Sequence, residues 1–393
     1  MAHPLMHTYG RLPVAFSHGR GAWLWDGDGN AYLDALSGIA VCGLGHAHPR
    51  VTEALREQAG QLLHTSNLYQ VPLQEELAAA LCRRAGMDGV FFCNSGAEAN
   101  EAAIKLARLH GSRRGIASPR ILVMDGAFHG RTLGTLAATG NDRAREGFGP
   151  LPEGFERIPY DDLGAVDEAA GREDIVAVLV EPIQGEGGIR EPHPGYLEGL
   201  RARCDDNGWL LMLDEIQTGN GRTGAWLACQ HEHVVPDVVT LAKGLGNGVP
   251  IGACLARGEA ADTLGPGSHG STFGGNPLAA SAALAVIRAL DEDDLIARAG
   301  RLGTRMRDGF HHALDDEPAV KAIRGRGLML GIELDRPCTE LVQQALDQGL
   351  LINVTAQSVV RLLPPLVLTD EDADRIVEQV SGLIQGLVHD TRY

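Results

Sequence analysis

The sequence contains few primary amines that could act as nucleophiles. Of its 34 basic residues, only Lys105, Lys243 and Lys321 are lysines. Lys243 lies in the run LAKGLGNG, directly after a short apolar segment and among glycines rather than other charged residues. Such surroundings are unusual for a surface lysine. We therefore expect Lys243 to be a reactive amine in a pocket, whereas Lys105, on an Ala- and Leu-rich helical pattern, is expected to be a surface charge.

Other polar and aromatic side chains also follow short apolar segments. Asp214 ends the run LLMLD, where a carboxylate is expected to be partly buried and to need a cationic or hydrogen-bonding partner. Phe128, shortly after the run ILVM, offers a flat ring face. The turn Asn94-Ser95-Gly96-Ala97 precedes a helical pattern, and the free N–H groups of a helix start suit a phosphate. Taken singly, each feature also has an ordinary structural explanation.

These side chains are predicted to be positioned by one sheet. Between residues 51 and 279, short apolar segments alternate with longer helical patterns, which indicates an α/β fold with a mostly parallel sheet flanked by helices. In such sheets, ligands bind beyond the carboxyl ends of the strands. The side chains therefore belong to one predicted pocket. The segments expected to be strands are 90–92, 121–124, 175–180, 210–213 and 238–240.

The two ends of the chain are predicted to form a smaller α+β domain. AWLWD and AYLDAL flank Gly27-Asp28-Gly29-Asn30, which is a hairpin signal. Strands are expected at 328–334, 350–354 and 359–368, and the last helix is expected to begin with a capping box at Thr369-x-x-Asp372. We predict a discontinuous small domain from residues 1–50 and 280–393, and a large domain from residues 51–279.

The predicted pocket combines a phosphate cradle, an aromatic face, a carboxylate and a lysine. A pyridoxal phosphate site needs all of these groups. The lysine would form a Schiff base with the cofactor. The aspartate would keep the pyridine nitrogen protonated through a charge-assisted hydrogen bond.

Composition excludes several other classes of protein. With 34 basic and 51 acidic residues the net charge is −17, which disfavours binding to nucleic acid or to an anionic membrane surface. The longest apolar runs have about six residues, too few to span a bilayer. The first residues show no secretory signal, and the 7 cysteines include no C-x-x-C pair, so we expect a cytoplasmic protein. No metal site is expected, because the pairs His46-x-His48 and His231-x-His233 lack a third ligand.

The order and spacing of the motifs are more specific than any one of them. They closely resemble those of the class III (omega) aminotransferases of fold type I, from about Tyr9 to the last helix. The opening stretch LWDGDGNAYLDALSGIAVCGLGHAHP resembles the acetylornithine aminotransferase branch of that family. The motifs that carry the resemblance are NSGAEANEAAIKLAR, FHGRT, EPIQGEGG, LMLDEIQTGNGRTG, LAKGLGNGVPIGA and STFGGNP.

The resemblance implies roles in binding the cofactor. Lys243 would be the Schiff-base lysine and Asp214 the partner of the pyridinium nitrogen. The other implied cofactor-binding residues are Phe128 for the ring face, Gln217 for the ring hydroxyl, and Ser95, Gly96 and Ala97 for the phosphate. Ala97 lacks the hydroxyl of relatives that read SGTEANE, so phosphate binding would rest more on backbone N–H groups. Asn220 stands where relatives often carry an apolar residue.

The resemblance also implies how substrates are held. Arg131 would bind the far carboxylate, with Ser271 assisting across a dimer. Arg361 would bind the α-carboxylate of glutamate, and Glu186 would close over Arg361 when the amino donor has no carboxylate there. Thr272 would reach the phosphate of the neighbouring subunit. A homodimer with shared active sites is therefore expected.

The expected reaction is transfer of the ω-amino group of N2-acetylornithine to 2-oxoglutarate, giving N-acetylglutamate 5-semialdehyde and glutamate, as in arginine biosynthesis. Succinylornithine, ornithine and 4-aminobutyrate are alternative donors. An aminomutase or decarboxylase on the same fold would keep Lys243 and Asp214 but would have less need for Glu186 and Arg361. A non-catalytic scaffold would be expected to lose Lys243 or Asp214.

Overall fold

The computed structural model describes residues 4–390, and a seven-stranded sheet forms its centre. The strands in chain order are β4 (Gly89–Cys93), β5 (Arg120–Met124), β6 (Phe155–Ile158), β7 (Ile175–Val180), β8 (Leu210–Asp214), β9 (Val238–Leu241) and β10 (Gly252–Ala256). Their order across the sheet is β4-β10-β9-β8-β7-β5-β6. Only β10 runs antiparallel to its neighbours, so the expected mostly parallel sheet is confirmed.

Two strands of this sheet were not expected from the sequence. β6 has the sequence FERI and lies at the edge of the sheet, where its first three residues are half-buried and no continuous apolar run is needed. β10 has the sequence GACLA, whose small residues give a weak strand signal although all five are buried. By contrast, β7 (IVAVLV) is buried along its whole length, as expected for a central parallel strand.

Helices cover both faces of the central sheet and separate two apolar clusters. One cluster includes Val178, Val180 and Leu213, and the other includes Leu179 and Met212, so alternate residues of one strand pack on opposite faces. The helices are α1 (Ser37–Ala40), α2 (Pro49–Ala59), α3 (Pro72–Ala85), α4 (Gly96–Arg113), α5 (Leu133–Ala138), α6 (Asp142–Arg145), α7 (Leu163–Glu168), α8 (Tyr196–Asn207), α9 (Gly258–Ala261), α10 (Pro277–Glu292), α11 (Leu295–Leu314), α12 (Leu341–Asp347) and α13 (Asp370–Asp390). Short 3-10 helices occur at Ala228–Glu232 and Lys243–Leu245.

The chain ends form two four-stranded sheets. The first consists of β1 (Phe16–Arg20), β2 (Trp23–Asp26), β3 (Ala31–Asp34) and β13 (Leu350–Leu351), and the second of β11 (Val320–Arg326), β12 (Met329–Leu334), β15 (Val359–Leu362) and β14 (Asn353–Thr355). The hairpin of β2 and β3 is confirmed. Because β13 pairs with β3, the C-terminal part of the chain contributes to the N-terminal sheet. The domain boundaries at residues 50 and 280 stay a prediction.

Two of the strands expected near the C-terminus were wrong in their extent. The segment 350–354 is divided between β13 and β14, which belong to different sheets. The strand expected at 359–368 ends at Leu362, because Pro364 and Pro365 follow and proline cannot donate a ladder hydrogen bond. The last helix begins where expected, with the Thr369 hydroxyl accepting a hydrogen bond from the Asp372 N–H at 3.0 Å.

α1 is a single left-handed turn. The φ angles of Ser37, Gly38, Ile39 and Ala40 are 47°, 63°, 65° and 62°. A left-handed turn costs about 1–2 kcal/mol per L-residue, so its surroundings must hold it. The Asp34 carboxylate accepts hydrogen bonds from the N–H groups of Leu36 (2.9 Å) and Ser37 (2.7 Å). The Ser37 hydroxyl donates to the Leu363 carbonyl at 2.6 Å.

Across residues 4–390, no helix is both long and apolar enough to cross a membrane.

Candidate active site

A cavity of about 470 Å³ lies at the carboxyl ends of β4, β5, β7, β8 and β9. β10 runs in the opposite direction, and the segment before it completes the wall. The structure brings nine of the predicted site residues to this cavity, from the segments that follow β4, β5, β7, β8 and β9. They are Ser95, Gly96, Ala97, Phe128, Arg131, Glu186, Asp214, Gln217 and Lys243.

Lys243 follows β9 in a strained backbone conformation. Its φ is 44°, in the left-handed region that non-glycine residues rarely occupy. The Asn220 side-chain amide donates a hydrogen bond to the Ala242 carbonyl at 3.2 Å, directly before this residue. Burial lowers the pKa of the Lys243 amine to about 8, and the carboxylate of Glu186 opposes this shift. A lower pKa increases the neutral fraction of the amine, which is the nucleophilic form.

Asp214 ends β8 and is held by donors from three elements. Its Oδ2 atom lies 2.7 Å from Asn100 Nδ2 and 2.8 Å from His129 Nδ1. Among residues 4–390, its Oδ1 atom accepts only the Ile216 N–H, at 3.1 Å. A carboxylate oxygen can accept two hydrogen bonds, so Oδ1 can take a further donor from the cavity. His129 and Asn100 were not predicted as site residues, although His129 directly follows Phe128 in the sequence.

Glu181, the first residue after β7, is a buried carboxylate beside these groups. It accepts hydrogen bonds from the N–H groups of Phe128 at 2.8 Å and Gly185 at 3.1 Å. Burial raises the pKa of the Glu181 carboxyl to about 7. Its role is to hold the loop of Phe128 against the strand end. Glu181 was not among the predicted site residues.

Glu186 and Arg361 form an ion pair at the edge of the cavity. Glu186 Oε1 lies 2.5 Å from Arg361 Nη1, and Asn353 Oδ1 accepts hydrogen bonds from Arg361 Nε (3.1 Å) and Nη2 (2.7 Å). The Arg361 side chain is 1% exposed, whereas that of Glu186 is 35% exposed. The pair therefore joins a buried cation to a partly exposed anion. Asn353 was not predicted from the sequence.

The opposite end of the cavity is the N-terminus of α4. Ser95 caps the helix, and its hydroxyl is 3.2 Å from both the N–H and the Oε2 atom of Glu98. A Cβ atom on Gly96 would lie 2.8 Å from the Ile216 side chain, so a larger residue at this helix start would require Ile216 to shift. N–H groups of the first helical turn have no partner within the helix. They provide an anion-binding site with the positive end of the helix dipole.

Three predicted residues lie outside the cavity lining. Arg361 is behind Glu186, as described. The Ser271 hydroxyl lies 3.2 Å from Asn94 Nδ2 and accepts the Gly274 N–H at 3.0 Å. Thr272 is exposed. The structure thus places these residues near the cavity of their own chain without bringing Ser271 or Thr272 into it.

The described residues contain no group of three or more His, Cys, Asp and Glu side chains that could hold a metal ion. His46 instead lies 2.8 Å from the Asp34 carboxylate. His231 lies 3.1 Å from the Thr223 carbonyl.

The profile of the family described as Aminotransferase class-III matches residues 5–384. The chain belongs to the class III aminotransferase family. It is 56% identical over 385 residues to an acetylornithine aminotransferase of Nitrosomonas europaea, covering 98% of both chains. It is 46% identical to an acetylornithine aminotransferase of Methanothermobacter thermautotrophicus, covering 98% of this chain and 97% of the relative.

Solved structures of related aminotransferases have the same fold as this chain. A crystal structure of the ornithine aminotransferase from Toxoplasma gondii, with partial occupancy of pyridoxal phosphate at its active site, superposes with a TM-score of 0.96 at 38% identity, covering 99% and 93% of the two chains. The acetylornithine aminotransferase from Elizabethkingia anophelis gives a TM-score of 0.88 at 37% identity, covering 97% and 96%. The expected family and fold class are confirmed, and this class III aminotransferase is a pyridoxal-phosphate-dependent enzyme acting on small molecules.

The cavity of this aminotransferase fits pyridoxal phosphate. Within residues 4–390, Gln217 Oε1 and His129 Nε2 are buried side-chain atoms without a hydrogen-bond partner. A Cβ atom on Gly185 would lie 2.3 Å from Gln217 Oε1, so the glycine allows this amide to pack beside the cavity. Buried polar atoms are normally paired. Gln217 is thus available for the ring hydroxyl, Asp214 for the ring nitrogen, the start of α4 for the phosphate, and Lys243 for the carbonyl carbon.

Proposed function

We propose that this aminotransferase transfers the ω-amino group of N2-acetylornithine to 2-oxoglutarate, giving N-acetylglutamate 5-semialdehyde and glutamate, as in arginine biosynthesis. The observation that carries the proposal is the Glu186–Arg361 ion pair at the cavity edge. The full-length identity of 56% to a relative named acetylornithine aminotransferase supports this donor over other ω-amines.

The ion pair solves a charge problem posed by the two substrates. 2-Oxoglutarate carries two carboxylates, and Arg361 and Arg131 are the cations that would bind them. An ω-amine donor enters with its amino end toward Lys243, where it has no carboxylate for Arg361. An unpaired buried arginine costs about 3–5 kcal/mol. Glu186 neutralises Arg361 for the donor and moves aside for 2-oxoglutarate.

The remaining residues of the chain position and activate the reacting groups. Pyridoxal phosphate, when bound, supplies the carbonyl that accepts the amino group and a ring that withdraws electrons from the donor carbon. Lys243 would act as general base and acid for the proton at the donor carbon. Asp214 holds the ring nitrogen, and Phe128 covers the ring. The Arg131 guanidinium lies 5.6 Å from the centre of the Phe128 ring, at the cavity mouth.

The test is a half-reaction without 2-oxoglutarate. The cofactor-loaded protein is mixed with N2-acetylornithine, and the visible absorbance of the cofactor is followed. We expect the absorbance to be lost faster than with succinylornithine, ornithine or 4-aminobutyrate. Faster loss with one of those amines would identify it as the donor instead. Persistence of the absorbance with every amine would overturn the transamination reaction and favour a mutase or decarboxylase.

We also propose a homodimer with shared active sites. Leu62, Leu63, Leu68 and Tyr69 are exposed apolar side chains on one segment, and Phe273 is a fifth. The Asn67 side chain ties this segment to the loop of Thr272 through a 3.1 Å hydrogen bond to the Ser271 carbonyl. Exposed apolar side chains gathered in this way mark a contact surface. A second copy covering it would receive Thr272 near its phosphate site.

The cytoplasmic location expected from the sequence stays a prediction.

Complementation between two inactive chains tests the sharing of sites. Lys243→Ala and Thr272→Ala chains are expressed together, each with a different tag, and the mixed dimer is isolated. If Thr272 serves the neighbouring site, one of the two sites in the mixed dimer has both residues, and about half of the wild-type activity returns. Activity no higher than that of the Thr272→Ala homodimer would place Thr272 in the site of its own chain or in none.

A further inference from the structure

We propose that Asn100 is a positioning residue that fixes the Asp214 carboxylate in the orientation required by the cofactor ring. The inference rests on the pyridoxal phosphate chemistry of this family. Asn100 lies in the second turn of α4, is fully buried, and joins that turn to the ends of β8 and β9. It does not line the cavity and would act through Asp214.

The hydrogen bonds allow only one orientation of the Asn100 amide. Asn100 Nδ2 lies 2.7 Å from Asp214 Oδ2 and 2.8 Å from the His129 carbonyl oxygen. Both of these atoms are acceptors, so the amide nitrogen, with its two hydrogens, must face them. On the other side, the Thr240 hydroxyl donates to Asn100 Oδ1 at 2.8 Å. These three bonds use both hydrogens of the Asn100 amide nitrogen and one acceptor position of its Oδ1 atom.

This arrangement constrains Asp214. An amide N–H can only donate, so Asp214 Oδ2 must accept the hydrogen bond from Asn100. Together with His129, it also fixes Oδ2, which leaves Oδ1 as the atom available to the cavity. Without Asn100, His129 would hold Oδ2 and the Ile216 N–H would hold Oδ1, each by a single bond. Asn100 adds a second bond to Oδ2 and so fixes the carboxylate more firmly.

The place of Asn100 on α4 links two distant parts of the cofactor site. The same helix begins at Gly96 with the anion-binding turn and carries Asn100 little more than one turn later. Helix α4 therefore fixes the distance between the anion-binding turn, which would hold the phosphate, and Asp214, which would hold the ring nitrogen. A buried asparagine in an otherwise Ala-rich helix face has a cost unless it is fully bonded. The bonds to Thr240, His129 and Asp214 offset that cost.

The experiment uses a matched pair of buried threonines. Thr240→Val removes the donor to Asn100 Oδ1, whereas Thr139→Val removes a hydroxyl that accepts the His129 N–H at 3.1 Å and has no bond to Asn100 or Asp214. Both replacements keep the side-chain shape and remove one buried hydroxyl. Asn100→Ala is the third variant. A purely structural role predicts that Thr240→Val and Thr139→Val behave alike.

The readouts are cofactor affinity and protonation of the cofactor ring, neither of which requires turnover. We expect the dissociation constant of pyridoxal phosphate to rise about tenfold in Asn100→Ala and about threefold in Thr240→Val, and to stay within twofold of wild type in Thr139→Val. With cofactor labelled with ¹⁵N in the ring, the nitrogen resonance should shift toward the neutral form in the first two variants only. In the cofactor-free protein, the His129 Nδ1–H resonance should change in Asn100→Ala.

Two outcomes would overturn the inference. If Asn100→Ala loses thermal stability but keeps the wild-type affinity and ring resonance, Asn100 is only a packing residue. If Thr139→Val matches Thr240→Val in all readouts, the effect is a general loss of buried hydrogen bonds. A wild-type protein that fails to bind pyridoxal phosphate would instead refute the cofactor assignment, so the two failures are distinguishable.

Discussion

The active site contains two clusters built around a carboxylate, and they are held in opposite ways. The Asp214 carboxylate is 4% exposed and receives donors from helix α4, from the loop after β5 and from its own backbone turn. In the Glu186–Arg361 cluster it is the cation that is fixed, because Asn353 holds Arg361 from the far side. Glu186 contacts that cation at one oxygen and is 35% exposed.

The difference shows how one cavity combines permanent and removable charge. The cofactor ring needs a constant counter-charge in every step, and a carboxylate fixed by several donors provides it without reorganisation. In the proposed reaction the two substrates need different charges at the same place, and an anion with a single ion pair is suited to leaving. Lys243 lines the same cavity as Glu186 and Asp214, and the charges of Glu186, Arg361 and Asp214 all act on its pKa.

The largest expected effect comes from removing the fixed charge. Asp214→Asn keeps the shape of the side chain but removes the negative charge that faces the ring nitrogen. We expect kcat to fall by about 10²-fold or more, as for other preorganised electrostatic groups. Steady-state transamination measures this. Asp237→Asn is the matched control, because Asp237 pairs with Arg201 at the amino end of β9 and should affect stability alone. Equal losses of kcat would contradict the fixed-charge interpretation.

The second prediction concerns the effect of pH on the Lys243 amine. Burial lowers the pKa of Lys243 from 10.5 to about 8. Between these pH values the unfolded chain binds more protons than the folded chain, so the stability of the cofactor-free protein should rise with pH in this window. Lys243→Met removes the contribution. The wild-type free energy of unfolding, measured by urea titration relative to Lys243→Met, should increase by about 2 kcal/mol from pH 8 to pH 10.5. A constant difference across the window would refute the lowered pKa.

The third prediction tests the removable charge. Glu186→Gln keeps the reach of the side chain but leaves Arg361 without a counter-charge. The half-reaction of N2-acetylornithine should slow about tenfold, which is a loss of about 1.4 kcal/mol, whereas the half-reaction of glutamate should change less than threefold. Stopped-flow absorbance gives both rates. Glu186→Asp, which keeps the charge, should recover part of the ratio, and an equal slowing of both half-reactions would exclude a selective role.

The smallest effect is expected far from both clusters. The Thr369 hydroxyl caps α13 through a 3.0 Å bond to the Asp372 N–H. Thr369→Val should reduce the free energy of unfolding by about 0.5–1 kcal/mol without changing either half-reaction. Thr304→Val, where the hydroxyl bonds only the Gly300 carbonyl of its own helix at 3.2 Å, is the control and should have a smaller effect. Altered donor selectivity in Thr369→Val would mean that the clusters are coupled to the outer helices.

The sequence predicted the parts of the site that local patterns determine. Apolar runs such as β7 mark central strands, and Asp214 and Lys243 stand directly at strand ends. Asn100 and Asn353 could not be predicted, because their partners are defined only when separate elements pack together. Asn100 bonds Asp214 across 114 residues of chain, and a polar residue within a helical pattern gives no sign of this. β6 and β10 were missed because an edge position and small side chains weaken the strand signal.

The left-handed turn α1 has a consequence for exchange with solvent. It leads directly to Val41, which lines the cavity. The N–H groups of Val41 and Cys42 both bond the Ser37 carbonyl at 2.9 Å, so they are protected only while the turn is intact. A left-handed turn is unfavourable for L-residues, which favours its unwinding. Deuterium uptake at these two amides therefore reports how often that wall of the cavity opens. The rate of this opening sets an upper limit on the rate at which a small molecule can enter or leave the cavity through that wall.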